Sequence, residues 1–546
     1  MKTVLIIMSI VLICTSCTEP GKPEGTLRPA KGGRYYGGIY RENENGELSS
    51  LDPARINDVT SSHIVINIYD QLIGFDSALT IKPMLAKEWF ISTDGMTYTY
   101  ILRNNAVFHD DPCFPNGKGR RVTAEDVRYS LTRVCDVRAK TKSDSYFRDR
   151  VVGASAYYDA TREASKSGNA PTVKGVAGFV AVDDTTFLIR LEKPFAPFEY
   201  TVAQTSMGIV AREAVERYGG DVDEYGNRLP YLDGLRFSFM KDDKMQLLEF
   251  TAGNLEESYR IPNEFFADIV DENKNPKGKW AKYRLLHVTA LSTQFYGMVT
   301  SDAVFKDKRI RQAFNYAVDR NRIIRYVLKG QAASPAHHGL VPPSMPGYES
   351  DSVRGYSFDP VRAQALLAEA GYPQGKGFPE VTLQLNAGGG RNVSVAEAIQ
   401  GMLKEHLNVN VKLLQVEFAQ HLESIDNAQA PFYRLGWVAD YPDPETFLNL
   451  YHGRLVPPPG RPSPINSTRF QNAQFDELFE QALSTTDRPK RMKLYREAEQ
   501  IAIDNAPMLL IFNDEDYRFI QPYVKGHPSN SMDRMNHHRT WFMMKK

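Results

Sequence analysis

The densest group of chemically capable side chains lies in the segment GWVADYPDPETF at 436–447. It holds the three carboxylates Asp440, Asp443 and Glu445 and the three aromatic rings Trp437, Tyr441 and Phe447. Carboxylates at this spacing suit pairing with a cation or acid and base work. Pro442 and Pro444 fix their own φ angles and restrict the preceding residues, which predicts a rigid extended loop rather than a helix. A charge beside aromatic faces on a stiff loop is typical of a small-ligand site, although a surface loop with Asp turns has the same pattern.

Signatures of the common enzyme classes are missing from the sequence. There is no GxxxxGK[ST] loop, no GxGxxG, no HExxH and no GxSxG. The pairs His337–His338 and His537–His538 lack a third ligand at metal spacing, and neighbours on a strand point to opposite faces. No metal or cofactor is therefore predicted, and the chain is not expected to be an enzyme. A secreted hydrolase with paired carboxylates stays as a minor alternative, because a sequence does not give the distance between two carboxyl groups.

The composition excludes several other classes. The chain has 546 residues, with 66 basic against 66 acidic side chains and 42% hydrophobic residues. Balanced charge gives no basic surface for a nucleic-acid partner. Ordinary hydrophobicity with 38 Gly and 32 Pro excludes collagen, coiled coil and wholesale disorder. A globular body with several domain equivalents is expected.

The N-terminal segment 1–17, MKTVLIIMSIVLICTSC, has the short basic and apolar regions of an export signal. Its ending at 15–17 resembles a bacterial lipobox, with Cys14 where the pattern usually has Leu. We expect a lipoprotein signal peptide with a lipidated Cys17, followed by a flexible tether at 18–35 rich in Pro and Gly. The body would then be lipid-anchored on the periplasmic or extracytoplasmic face of a bacterial membrane. A plain signal peptide is the alternative.

Two cysteines remain after such processing, Cys113 and Cys135. In an oxidising compartment they are expected to form a disulfide across a short loop. Two buried free thiols are the alternative.

Strand and helix patterns alternate along the chain and predict a mixed α/β fold. Thr123 starts a helix with Asp126 as its capping partner. The stretch 96–108 reads as a pair of strands. A βαβ unit is predicted at 380–416, with parallel strands and a helix beginning at Ser394. Further helices are expected after Asp359, Asn472 and Asp487, and a strand at 508–513.

Seven segments, in order along the chain, resemble the family 5 solute-binding proteins of ABC importers, which include periplasmic dipeptide- and oligopeptide-binding proteins. They are LDPARINDVTSSHIVINIYDQLIGFD at 51–76, PMLAKEWFISTDGMTYTYILRNNAVFHDD at 83–111, GRRVTAEDVRYSLTRV at 119–134, LPYLDGLRF at 229–237, FKDKRIRQAFNYAVDRNRII at 305–324, AQALLAEAGY at 363–372 and LGWVADYPDPETFL at 435–448. The chain departs from the family between Tyr218 and Leu229, where a GTGPF or GTGPY segment is usual.

The resemblance implies a two-lobed periplasmic-binding-protein type II fold, cluster C-like, with a two-strand hinge. Lobe one would comprise 36–290, with an extra subdomain, and the C-terminal return at 512–546. Lobe two would comprise 291–511. Hinge closure of the lobes over a ligand is the expected motion.

The resemblance also implies binding residues. Asp440 resembles the carboxylate that pairs with a ligand's α-ammonium group. Gly436, Trp437 and Val438, the stretch 436–438, resemble the main chain that pairs with an extended peptide. Arg434 resembles a partner of the peptide's C-terminal carboxylate. The position where some members hold a His falls at Asn392, next to Arg391, an alternative carboxylate partner.

The function implied is the extracytoplasmic substrate-binding component of an ABC importer. A monomer would capture short peptides and deliver them to a membrane permease complex. A sugar, an opine, or a nickel or haem complex remains an alternative ligand, because the family includes receptors for each.

Overall fold

The chain is a mixed α/β protein in the computed structural model, in which β12 and β17, defined below, are the longest strands. The structure describes residues 26–30, 34–44, 48–76, 78–218, 234–240, 242–387, 390–533, 537 and 540–543. The predicted signal peptide with Cys17, most of the tether, the family departure after Tyr218, and His538 lie outside these residues. Across the described ranges, the helices are too short or too polar to cross a bilayer.

The strands, numbered in chain order, are β1 Arg28–Pro29, β2 Tyr35–Tyr36, β3 Ile39–Glu44, β4 Ile73–Phe75, β5 Ile81–Pro83, β6 Ala86–Ile91, β7 Thr97–Leu102, β8 Phe179–Ala181, β9 Thr186–Arg190, β10 Gly234–Phe239, β11 Glu257–Tyr259, β12 Arg284–Met298, β13 Ser334–Pro335, β14 Val381–Asn386, β15 Val411–Val416, β16 Phe432–Val438, β17 Met508–Ile520, β18 Val524–Lys525 and β19 Trp541–Phe542.

The α-helices are α1 Val59–Val65, α2 Ala124–Val134, α3 Ala154–Ser167, α4 Phe198–Val202, α5 Arg212–Tyr218, α6 Asp243–Ala252, α7 Asn263–Ile269, α8 Lys308–Ala317, α9 Arg320–Arg322, α10 Pro360–Glu369, α11 Gly390–Leu407, α12 Phe418–Asp426, α13 Glu445–Leu448, α14 Ala473–Ser484 and α15 Arg488–Asn505.

The largest sheet has the strand order β11-β17-β12-β16-β14-β15, with β13 on β17. β12 and β17 run antiparallel along most of their length. Their register shifts between the pair Thr289 and Glu515 and the pair Thr293 and Asn513. This irregularity divides the ladder into a half beside β11 and a half beside β16. The two long strands therefore connect two parts of the molecule.

Separate apolar cores pack on this framework. The first core lies between α2, α3 and the antiparallel sheet β6-β7-β9-β8, with Phe147 and Phe187 fully buried. The second core joins α14 and α15 to β12 through aromatic rings such as Tyr451. The third core packs α8, α10 and α11 against β14 and β16. Burial of these stripes holds the helices in place.

Most local predictions are confirmed. β14, α11 and β15 form the βαβ unit, with β14 and β15 parallel. The carboxylate of Asp126 accepts the N–H of Thr123 at 2.9 Å, so α2 begins as predicted. Helix α11 already begins at Gly390, four residues before Ser394, so the start predicted there is wrong.

Two predictions that concern contacts between separate segments are wrong. The stretch 96–108 contains one strand, β7, instead of the predicted pair. β7 pairs with β6 and β9, which both lie outside the stretch. Cys113 and Cys135 are both free thiols. Cys135 is packed inside the first core, whereas Cys113 lies against a small separate cluster around Phe114. The two side chains belong to different packing units, and no disulfide joins them.

Candidate functional site

Strand β16 has one backbone edge that is largely unpaired. It pairs with β12 along its whole length, but with β14 only at Phe432 and Tyr433. The N–H of Ala439 donates to the carbonyl of Leu291 at 2.8 Å, so alternation directs the backbone groups of Gly436 and Val438 away from β12. Within the described residues these groups have no partner, and Val438 is 37% exposed. The backbone of residues 436–438 is called the open edge below.

A chain of polar contacts covers one face of the sheet beside the open edge. A Cβ atom on Gly436 would lie 2.5 Å from the amide group of Gln294, so any larger residue would displace that amide. Gln294 accepts a hydrogen bond from Arg434 and donates one to Asp514 at 2.6 Å. Asp514 also pairs with Arg391 at 2.9 Å. The two arginines predicted as carboxylate partners are thus linked through Gln294 and Asp514.

The charges in this polar chain are strongly coupled. Burial alone would raise the pKa of Asp514, yet the charges of Arg391 and Arg260 hold that pKa below its ordinary value. Burial lowers the pKa of Arg434 to about 10. Within the described residues the buried Nε of Arg391 has no hydrogen-bond partner. The site retains donor capacity for an anionic group.

Arg260 adds a third cation near the same carboxylate. It follows β11 with a φ of 65°, a left-handed conformation that is costly for a residue with a Cβ. Asp243 and Asp514 are among the charges that raise its pKa, after the adjacent Tyr259 and against burial. Its guanidinium makes no hydrogen bond to the described residues, whereas its N–H donates to the carbonyl of Tyr517. The strained backbone keeps this cation beside the polar chain.

The opposite face of β16 positions Asp440. Trp437 packs against the second core, and its Nε1 donates to the hydroxyl of Thr446 at 3.3 Å. That hydroxyl accepts the N–H of Asp440 at 3.1 Å and donates to its Oδ2 at 3.2 Å. Gln204 donates to the carbonyl of Asp440 at 2.9 Å. The carboxylate is therefore held, half-buried, just past the end of the open edge.

The other two carboxylates of the segment are structural. Asp443 is 2% exposed and pairs with Arg491 at 3.2 Å, while Glu445 is 1% exposed and pairs with Arg150 at 3.3 Å. Burial raises the pKa of both carboxyls, although each arginine opposes the shift. The prediction of a wholly extended loop is wrong in part, because α13 begins at Glu445. These groups fix the loop and are closed to a substrate.

The predicted residues fall into one neighbourhood, with one exception. Gly436, Trp437, Val438, Arg434 and Asp440 lie on or just after β16, and Arg391 reaches them through Asp514. Asn392 follows Arg391 on α11. Its side chain is half-buried and makes no hydrogen bond to the described residues. Sequence reasoning missed Gln294, Asp514, Arg260 and Thr446. Only Thr446 had a local signal, since it lies within the predicted segment.

Metal-ligating groups are found elsewhere. Among the described residues, Glu257, His527 and His537 are close enough to share a metal ion, and they lie away from the open edge. His337 and His338 each place Nδ1 near a backbone carbonyl, of Tyr356 at 3.2 Å and of Val353 at 3.0 Å.

Comparisons with known proteins agree with this architecture. The family model "Bacterial extracellular solute-binding proteins, family 5 Middle" matches residues 80–224 and 213–454. A dipeptide-binding protein of Escherichia coli (strain K12) is 26% identical over 495 residues, covering 85% of this chain and 86% of its own. Heme-binding protein A of Haemophilus influenzae is 27% identical over 495 residues, covering 84% of each chain.

A solved structure extends the match to three dimensions. The ABC transporter-associated periplasmic binding protein DppA from Helicobacter pylori, in complex with the peptide STSA, superposes with a TM-score of 0.78 at 21% identity, covering 94% of this chain and 99% of that one. The two-lobed type II fold is thereby confirmed. The chain belongs to family 5 of the bacterial extracellular solute-binding proteins.

Proposed function

We propose that the protein is the extracytoplasmic substrate-binding component of an ABC importer, that it captures short peptides, and that it delivers them as a monomer to a membrane permease. The observation that carries this proposal is the open edge. Its unpaired N–H and C=O groups suit an extended peptide that adds to the sheet as a further strand. Backbone pairing of this kind tolerates many side chains.

The charges near the open edge support a peptide with free ends. We propose that Asp440 pairs with the α-ammonium group, because a dehydrated ammonium requires a carboxylate. Arg434, Arg391 and Arg260 offer guanidinium groups for the C-terminal carboxylate, and Arg391 keeps an unpartnered Nε. The ligand would then run antiparallel to β16. Asn392, beside Arg391 on α11, remains a proposed contact for longer ligands.

The two long strands support closure about a hinge. We propose that 36–290 with 512–546 forms lobe one, that 291–511 forms lobe two, and that the lobes move about the β12–β17 crossing. The register shift between Thr289 and Thr293 lies at the first proposed boundary, and Asn513 lies at the second. A ladder interrupted at this point bends more readily than a continuous one.

The aromatic residues favour a peptide over a sugar. Stacking on a sugar requires an accessible ring face. Tyr441 is 2% exposed and stacks on Tyr200, with ring centroids 5.7 Å apart. Trp437 packs into the second core. Tyr441 therefore offers no ring face to a sugar, and the half-buried Trp437 has only part of its surface accessible.

A pair of ligands tests the proposed ammonium pairing. Binding of a tripeptide and of its N-acetylated form is measured by calorimetry in the wild type, in Asp440→Asn and in Asp426→Asn, a control at a half-buried Asp on α12. Acetylation should weaken wild-type binding by about 30-fold or more, since an unpaired buried charge costs at least about 2 kcal/mol. In Asp440→Asn the two ligands should bind within a few-fold of each other, and the control should behave as the wild type.

Other results would count against the proposal. Equal loss on acetylation in Asp440→Asn and in the wild type would contradict the role of Asp440. Failure of di- to pentapeptides to bind any variant, together with native mass spectra free of co-purified peptide, would contradict the peptide ligand itself. In that case haem and nickel complexes become the ligands to test.

A further inference from the structure

A second cluster of titratable side chains lies apart from the open edge. It joins Glu42 on β3, Glu257 on β11, and His527 and His537 from the segment after β17. The ligand atoms of Glu257, His527 and His537 all lie within 4.8 Å of one another. These four residues are called the His–Glu cluster below.

Each imidazole of the His–Glu cluster faces a carboxylate through Nε2. The Nε2 of His527 lies 2.5 Å from Oε2 of Glu257, and the Nε2 of His537 lies 2.7 Å from Oε2 of Glu42. The two imidazole rings are 5.4 Å apart with an interplanar angle of 72°. The ligand atoms of Glu257, His527 and His537 therefore converge, and Glu42 adjoins this group through its contact with His537.

The cluster is closed to solvent and incompletely satisfied by hydrogen bonds. The four side chains are at most 3% exposed. Within the described residues, Oε2 of Glu42 and Nε2 of His537 are buried atoms without a properly aligned hydrogen bond, even though they lie 2.7 Å apart. Orphaned polar atoms of this kind are costly and call for a partner.

The charge around the His–Glu cluster is unbalanced. Glu42 and Glu257 contribute two negative charges, and Glu44 and Asp533, which contact His63, contribute two more. The cations in direct contact with these groups are Arg518 and a protonated His63. Carboxylates therefore outnumber guanidinium groups around the His–Glu cluster.

We propose that Glu42, Glu257, His527 and His537 form a structural Zn²⁺ site. Two imidazole nitrogens and two carboxylate oxygens are a donor set that Zn²⁺ accepts in tetrahedral geometry. Donors at about 2.0–2.2 Å from the metal stand about 3.3 Å apart, so each contacting pair has to separate by less than about 1 Å, and the Glu42 carboxylate has to turn toward Glu257 and His527. The carboxylates can do so by rotating about their own side chains.

Neighbouring groups match those of a closed metal site. The Nδ1 of His537 lies 3.2 Å from the hydroxyl of Thr540, and ligating histidines usually bond through the second nitrogen in this way. The Tyr40 ring lies 4.4 Å from the His537 ring, and its hydroxyl donates to Glu257 at 2.7 Å. No open coordination position faces solvent, which suits a structural role. The metal would tie β3 and β11 to the C-terminal segment.

Metal content of the full chain tests this site. The protein is purified with a tag that contains no histidine, incubated with Zn²⁺ and desalted, and its zinc is measured by elemental mass spectrometry. The wild type and His452→Gln, a control at a largely buried histidine outside the His–Glu cluster, should hold one zinc per chain. His527→Gln and Glu42→Gln should hold at least tenfold less zinc. Chelation should lower the melting temperature of the wild type and of His452→Gln but not that of the two cluster variants.

If both variants fail to fold, cobalt binding by the wild-type protein still tests the proposed site. Wild-type protein loaded with Co²⁺ should show the intense visible absorption of a four-coordinate ion. The proposal is overturned if the wild type binds no stoichiometric zinc, if a chelator leaves its melting temperature unchanged, or if folded His527→Gln retains the metal. The last result would locate the metal elsewhere.

Discussion

Strand β17 contributes a residue to the polar chain beside the open edge and another to the surroundings of the His–Glu cluster. The two regions differ in their exposure to solvent. On β17, Asp514 belongs to the former and Arg518 contacts the latter, and residues four apart on a strand share a face. Beside Asp514 the sheet leaves a strand edge open, whereas around Arg518 the C-terminal segment covers the carboxylates. Similar groups therefore lie beside an accessible backbone in one region and under a covering segment in the other.

The largest effect is expected from removing the cation of the covered region. Arg518→Met leaves Glu257 and Asp533 without their guanidinium partner in a buried setting. Loss of one member of a buried pair typically costs about 3–5 kcal/mol of unfolding free energy. Urea unfolding should show this loss, while peptide affinity of the folded fraction should change little. Arg309→Met, at a solvent-exposed pair with Asp307, should have little effect on the same unfolding curve.

An intermediate effect is expected from pH. Burial alone would lower the pKa of His63, but Glu44 and Asp533 raise it to about 10. The folded state therefore keeps a proton that the unfolded state releases near pH 6.5. The stability from His63 is fully present below pH 6.5 and is lost as pH rises through about 10.

The measurement is the free energy of unfolding between pH 6.5 and 10. It should fall by about 2 to 4 kcal/mol in the wild type, and His63→Gln should flatten this decline. His452→Gln should leave the decline in place, since burial lowers the pKa of His452. A wild-type profile that is flat over this range would contradict a protonated His63.

The smallest effect is expected beside the open edge. Thr446→Val keeps the shape of a buried side chain but removes the hydroxyl that bonds Asp440 and Trp437. Peptide affinity should fall several-fold, about 1 kcal/mol. Thr201→Val is the control, since its buried hydroxyl has no hydrogen-bond partner among the described residues. If Thr446→Val altered only stability, the contrast between the two regions would fail.

Sequence reasoning succeeded where the signal was local. The βαβ unit and the α2 cap depend on neighbouring residues, and both are confirmed. Asp440 was singled out because it lies in a rigid aromatic segment. The resemblance to family 5 pointed to residues 436–438, whose edge the structure leaves unpaired, and their contact with a peptide stays a prediction.

The remaining features depend on contacts between distant segments. Gln294 contacts Gly436 through a pairing of strands that are more than a hundred residues apart in the sequence. No local periodicity predicts which strands will pair. The pattern at His537–His538 lacked a third ligand because Glu257 lies 280 positions before His537 and His527 ten before it. The disulfide prediction failed for the same reason, since the packing units that separate Cys113 and Cys135 are tertiary features.

The central place of β17 has a consequence for the order of folding. It lies between β11 and β12, yet it is one of the last strands in the chain. The sheet cannot be completed until nearly all of the polypeptide has been made, and such non-local pairing slows folding. A nascent chain that lacks residues after 507 has only β12 to join its two parts. The sheet that unites the molecule is therefore among the last features to form during synthesis.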